Sequence, residues 1–150
     1  MKPVFRMSRW PAVFALVLLS MGLASPGTAD LNQAEARAMR YNTVMRNNGY
    51  AVRSSWHWGR LAAPGSRQVT RMTLYAGTEY VLVAAGDDNA YDLDLRLYDE
   101  NGNLVAWDYR AASDAAVTIT PRWTGPFRAY VNLHSGSSSG AYYVLSTGYR

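Results

Sequence analysis

The stretch from Tyr80 to Trp107, YVLVAAGDDNAYDLDLRLYDENGNLVAW, restricts this chain to a narrow set of folds. Between Tyr91 and Tyr98 apolar and polar residues alternate one for one. Tyr91, Leu93, Leu95 and Leu97 would share one face, and Asp92, Asp94, Arg96 and Tyr98 the other. A period of two is that of a half-buried strand; a helix would scatter these residues around its circumference. Asn101-Gly102 supplies the positive φ that a tight hairpin needs, so Leu104 to Trp107 reads as the returning strand. Glu79 to Ala85 is apolar without alternation, which predicts a central strand, and Gly86 to Asn89 is a polar loop.

The rest of the chain from Gln68 onward also reads as β. Gln68 to Tyr75 alternates and stops at Ala76-Gly77. Ala115 to Thr120 is closed by Pro121, and Trp123 to Pro126 turns the chain. Phe127, Ala129, Val131 and Leu133 give another inward face. Ser135 to Gly140 is a Ser/Gly loop, and Ala141 to Gly148 is a Tyr-rich last strand. Seven to eight short strands with turns between them predict an all-β protein, an antiparallel β-sandwich. Tyr50 to Leu61 is less regular. Trp56 and Trp58 would share one strand face with His57 on the other, and burial of both indoles is expected; the competing reading is an exposed aromatic pair. Before it, Leu31, Ala34, Ala38, Tyr41 and Met45 recur at helical spacing, with Asp30 as N-cap and Asn47-Asn48-Gly49 as stop. A stripe this thin predicts one N-terminal α-helix along an edge or end of the sandwich, or one that docks onto a partner.

Residues 1–29 read as a secretory signal peptide. Lys2, Arg6 and Arg9 precede the apolar run Pro11 to Ala24, and Gly27 and Ala29 stand where a cut before Asp30 would want small residues. The organisation expected is therefore signal 1–29, helix 30–49 and sandwich 50–150, exported to the periplasm or beyond, with no stable transmembrane segment once the signal is cleaved. The alternative is an uncleaved anchor. The chain contains no Cys, so neither disulfides nor thiolate metal sites enter the argument.

The formal net charge of +4 owes much to the signal. Beyond it, 12 Arg face 11 acids, split as net +5 over Asp30 to Met72 and net −4 over Thr73 to Arg150. Basic residues spread over a short segment do not make the basic, aromatic-lined face of a nucleic-acid binder, so the partner is expected not to be nucleic acid. Attraction between the two halves is the simpler account.

Ala76-Gly77-Thr78-Glu79-Tyr80, Asp92-Leu-Asp-Leu-Arg-Leu-Tyr98, Asn101-Gly-Asn103, Pro121, Thr124-Gly125-Pro-Phe127 and Tyr142 to Leu145 come in an order that resembles the bacterial pre-peptidase C-terminal domain, over roughly residues 59–149. The resemblance implies a jelly-roll-like β-sandwich of a secreted protein. Such domains usually trail a protease, and some members bind calcium, collagen or other polymers. Here a signal-like stretch and a helix stand in the protease's place.

Three candidate sites follow. Asp87, Asp88, Asp92, Asp94, Asp99 and Asp108 fall within 22 residues. Calcium takes six to eight hard oxygens, and Asp87, Asp88, Asp92 and Asp94 are the candidate metal (Ca2+) ligands. The competing reading is a solvated face with turn-forming acids balanced by Arg96, Arg110 or Arg128. Tyr98 and Tyr130, beside Arg96 and Arg128 on polar strand faces, are candidate ligand-binding residues for a sugar or peptide polymer; the competing reading is a covering of tyrosines partly under the helix. The only His are His57 and His134, with Ser54, Ser55, Ser135 and Ser137 nearby, but there is no nucleophile elbow and no His-Glu zinc motif, so no catalytic residue is assigned. The expected function is a small exported, non-catalytic binding or accessory module whose partner is an extracellular protein or polysaccharide. Alternatives are a structural or self-associating envelope protein, a homo-oligomer in contact through the helix or an edge strand, with the helix stripe left open in the monomer in the first case, and a secreted hydrolase, which would need a deep pocket around His57 or His134.

Overall fold

A computed structural model describes residues 29–150. Helix α1 (Leu31–Asn47) is followed by β1 (Ala51–Val52), β2 (His57–Leu61), β3 (Arg67–Leu74), β4 (Tyr80–Gly86), β5 (Ala90–Tyr98), β6 (Leu104–Asp108), β7 (Asp114–Ile119), β8 (Gly125–Gly136) and β9 (Ala141–Tyr149). The predicted signal segment, apart from its last residue, lies outside the described residues. No helix among those described is long and apolar enough to cross a membrane.

All strand pairs are antiparallel. Sheet A runs β1-β9-β4-β7, with β2 pairing the same edge of β9 that β1 does; sheet B runs β3-β8-β5-β6. Apart from the β5–β6 hairpin, consecutive strands from β2 to β9 alternate between the sheets. The orders 2-9-4-7 and 3-8-5-6 are those of a jelly roll. The strand count is nine because Tyr50 to Leu61 gives two short strands in tandem. Between them Arg53 to Trp56 leaves the ladder, while the Arg53 amide still bonds to the Thr147 carbonyl (2.9 Å). That break also separates the two indoles. Trp56 is half-buried against the helix, whereas Trp58, on an edge strand, is 57% exposed, so the expected burial of both does not occur.

The hairpin turn is as the sequence predicts, with Gly102 at φ 83°. Leu93, Leu95 and Leu97 of β5 are fully buried between the sheets with Leu82, Phe127, Leu133 and Leu145. Tyr91 is a correction: it is half-exposed, because the β5–β8 register slips between Ala90 and Leu93 and carries its side chain off the core face. A bulge of this kind is invisible to a strict period of two.

Strand β4 is buried on both faces. Leu82 and Ala84 enter the inter-sheet core; Val81, Val83 and Ala85 form a second core with Ala34, Ala38, Tyr41 and Met45 of α1. The helix thus lies across the outer face of sheet A, over β4 and β9, and not along an edge or end. Alanines at 34 and 38 bring its backbone close to the sheet, and Met45 fills the lower end. Asp30 caps it, accepting from the Asn32 amide (2.8 Å). Among the described residues, the outer face of sheet B has no such cover.

Candidate functional site

The candidate site is built on that open face. On β8 the inward residues Phe127, Ala129, Val131 and Leu133 leave Arg128, Tyr130, Asn132 and His134 pointing outward. On β5 the same alternation puts Asp92, Asp94, Arg96 and Tyr98 outward. The ladder then sets Asp94 opposite Asn132, Arg96 opposite Tyr130 and Tyr98 opposite Arg128. All four predicted ligand-binding residues are therefore neighbours. The Tyr98 and Tyr130 rings meet edge to face, with centroids 5.2 Å apart at 76°. The Arg67 guanidinium lies over the Tyr130 ring at 5.6 Å, and that of Arg96 over Tyr109 at 6.0 Å. Arg128 donates to the Asp99 carbonyl (3.4 Å). Trp107 sits opposite Arg96 on β6, and Val69 opposite Tyr130 on β3. Both are exposed, as is Tyr109.

Trp107, Tyr109, Arg67 and Val69 were not predicted as part of this face. In β6 both Val105 and Ala106 are buried, and a register shift beside them breaks the alternation that would have marked Trp107 as outward. Arg67 enters only through the β3–β8 pairing, which no local pattern reveals.

The acidic set divides. Asp87 is wholly buried: its carboxylate accepts from the amides of Asp30 (2.8 Å), Tyr142 (3.0 Å) and Asn89 (3.1 Å). Asp88 pairs with Arg37 of α1, which also donates to the Gly86 (2.8 Å) and Asp87 (3.1 Å) carbonyls, while the Asp88 amide donates to the Gln33 side chain (3.1 Å). These two acids fasten the β4–β5 loop to the helix. Asp99 accepts from the amides of Asn101 and Asn103 and so holds the hairpin turn. Asp108 binds Arg110 (2.7 Å) and the Ala116 amide (3.0 Å). Burial alone would raise the Asp108 pKa, but hydrogen bonds from Arg110 and from the Ala116 and Arg110 amides outweigh it, and the net shift is downward.

Asp92 and Asp94 lie on the outer face of sheet B, so the four candidate ligands do not converge on one ion. No group of three or more His, Cys, Asp or Glu among the described residues is placed to hold a metal. The Asp94 carboxylate is 4.0 Å from His134 Nδ1. Burial and the adjacent charge of Asp92 push its pKa up, against smaller opposing effects of His134 and Arg96. Asp92 Oδ1, Arg96 Nε and Asn132 Oδ1 are buried without a hydrogen-bond partner among the described residues. Both His side chains are exposed, and His134 lies at the acidic end of the face.

No protein-family profile and no curated protein matches the sequence. Among solved structures, the pre-peptidase C-terminal domain of a collagenase from Bacillus anthracis superimposes with a TM-score of 0.50 at 14% identity, covering 62% of this chain and 87% of that one. The fold is that of a pre-peptidase C-terminal domain-like β-sandwich. At this identity the likeness concerns the backbone alone. A carbohydrate-binding module, CBM36, in complex with calcium and xylotriose overlaps at 15% identity over 68% of this chain and 94% of that one, with a TM-score of 0.36.

Proposed function

We propose that this chain is an exported, non-catalytic binding module that recognises an extended extracellular glycan through the outer face of sheet B. The observation that carries the reading is the Tyr98–Tyr130 pair, set between Arg96 and Arg128 on the one sheet that α1 leaves bare. Tyrosine rings offer flat apolar surfaces to the C–H faces of sugar rings at low cost in conformational entropy, and their hydroxyls stay hydrated. Asp92, Asn132 and Arg96, half-buried beside the pair, set a carboxylate, an amide and a guanidinium at the edge of that platform. Export rests on the N-terminal pattern of residues 1–29. Within the self-associating reading the helix stripe is closed against sheet A, with Ala34 and Ala38 fully buried, which leaves an edge strand as the contact.

Retention on a panel of insoluble polysaccharides tests the proposal. Truncating a central aromatic anchor costs ~2 kcal/mol or more, about 30-fold in affinity. Tyr98→Ala and Tyr130→Ala are each expected to weaken binding by that order while the chain stays folded at the assay temperature. Retention of both variants at wild-type affinity would overturn the assignment. Retention on a protein polymer but on no glycan would transfer the same face to a protein partner.

A further inference from the structure

A second aromatic site lies at one end of the sandwich, remote from the Tyr98–Tyr130 platform in sequence and made by different strands. A cleft of about 350 Å³ is lined by Arg53, Tyr75, Thr78, Tyr80 and Tyr149. Its volume is at the low end of small-molecule sites, which run ~300–1,000 Å³. Tyr80 is buried and forms the floor, while Tyr75 and Tyr149 stand exposed as walls. Tyr80 and Tyr149 approach with centroids 6.4 Å apart. The floor is fixed in place, because the Tyr80 hydroxyl accepts from the Tyr75 amide (3.0 Å).

Among the described residues, Arg53 is the one charged member of the lining. It belongs to the segment that leaves the ladder between β1 and β2, and it straps the two sheets together. Its amide bonds to Thr147 of sheet A, and its guanidinium donates to the Thr73 carbonyl of sheet B (2.9 Å). The guanidinium also lies 5.5 Å from the Tyr80 ring centroid. Among the described residues no carboxylate pairs with it. The nearby acid Glu79 is already engaged, by Arg150 (2.8 Å) and by the Tyr50 hydroxyl. A guanidinium held by one carbonyl and one ring face keeps further N–H groups for a ligand, and its planar fork matches a carboxylate.

We infer that this cleft binds a carboxylate-bearing sugar, a hexuronate residue of an acidic glycan, with Arg53 on the carboxylate and the tyrosine rings against the pyranose. Three tyrosines and Thr78 provide ring faces and hydroxyls but no further cation, which suits a singly charged, hydroxyl-rich ring. A doubly charged phosphate would draw on more cations or on a cluster of backbone amides, as at a helix N-terminus. The inference is independent of the glycan platform on sheet B, and either can fail without the other.

Calorimetric titration of the chain with trimers of glucuronate, galacturonate and mannuronate, and with the matching neutral hexose trimers, decides it. At least one acidic trimer is expected to bind ten times or more tightly than its neutral counterpart, and to weaken severalfold between low and high salt as screening increases. Arg53→Gln should remove that preference, Arg53→Lys should restore part of it, and Tyr149→Ala should weaken the acidic trimer. Tyr130→Ala, on the other face, should leave it unchanged. The Tyr149 variant and the salt dependence of the wild type serve if Arg53→Gln does not fold. Equal affinity for acidic and neutral trimers, binding of none, or retention of the preference in folded Arg53→Gln would each overturn the inference, as would tighter binding of a free peptide C-terminus than of any uronate.

Discussion

Tyr41 shows how a single polar contact joins the helix to the sheet. Its hydroxyl donates to Asp114 (2.8 Å), whose other oxygen accepts from the Gly86 amide (3.2 Å), and all of this is buried. Burial pushes the Asp114 pKa up despite those bonds, and burial followed by the Asp114 charge raises that of Tyr41. Tyr41→Phe leaves a buried carboxyl short of a donor, and the expected loss is ~1–3 kcal/mol of stability by denaturant unfolding, with glycan binding intact. Asp108 acts with the opposite sign to Asp114. Because its folded pKa is depressed, it stabilises the fold above the ordinary carboxylate value of 3.8, and this is lost as pH falls through the lower folded value. Asp108→Asn should therefore flatten the acid end of the stability–pH curve below about pH 4; an unchanged curve in acid would show that Asp108 is not the group responsible. At this scale the sequence was a good guide to which residues face outward. The alternation around Leu93, Leu95 and Leu97 placed Arg96 and Tyr98, and that around Ala129 and Val131 placed Arg128 and Tyr130. Their adjacency was not legible, since it depends on a β5–β8 pairing between segments about thirty residues apart.

At the scale of elements, β4 and α1 are best understood together. A strand apolar on both faces needs two covers, and among the described residues sheet B and the helix supply them. The sequence showed the lack of alternation in Tyr80 to Gly86 and the helical stripe from Leu31 to Met45 separately. What it did not show is that the second explains the first, because nothing in a helix's own pattern says which surface it will meet. The split of charge along the chain has its structural counterpart here, in Arg37 of α1 gripping Asp88 and the carbonyls beside it. Met45 is fully buried at the helix–sheet junction, and Met45→Ala should cost ~2–5 kcal/mol, read as a lower thermal midpoint. A loss no greater than that of an exposed substitution would contradict the packing of α1 on sheet A. Gly140, at φ 81°, turns the chain into β9, and an added Cβ would collide with the Leu61 carbonyl; this is a close approach that the Ser/Gly composition of the loop only hinted at.

The described residues form a jelly roll with one face sealed by its own helix and the other presenting aromatic rings, arginines and the acids Asp92 and Asp94. This division of labour between the sheets, and not the acidic composition, organises its surface. Calcium illustrates the difference. Two of the four candidate ligands hold the β4–β5 loop to α1, and the remaining pair falls short of six to eight oxygens. Millimolar calcium is accordingly expected to move the unfolding midpoint by less than roughly 1 °C, whereas an ion bound at 100 times its dissociation constant would add ~2.7 kcal/mol; a rise of several degrees would show that Asp92 and Asp94 recruit further ligands. The central claim, that sheet B is the recognition face, is tested most directly by amide-resolved NMR on the chain titrated with a neutral glycan that it retains. The account predicts shifts concentrated on β3, β5, β6 and β8 around Val69, Arg96, Tyr98, Trp107 and Tyr130, with α1 and β9 silent. Shifts concentrated on α1 and the helix-facing side of sheet A would contradict it.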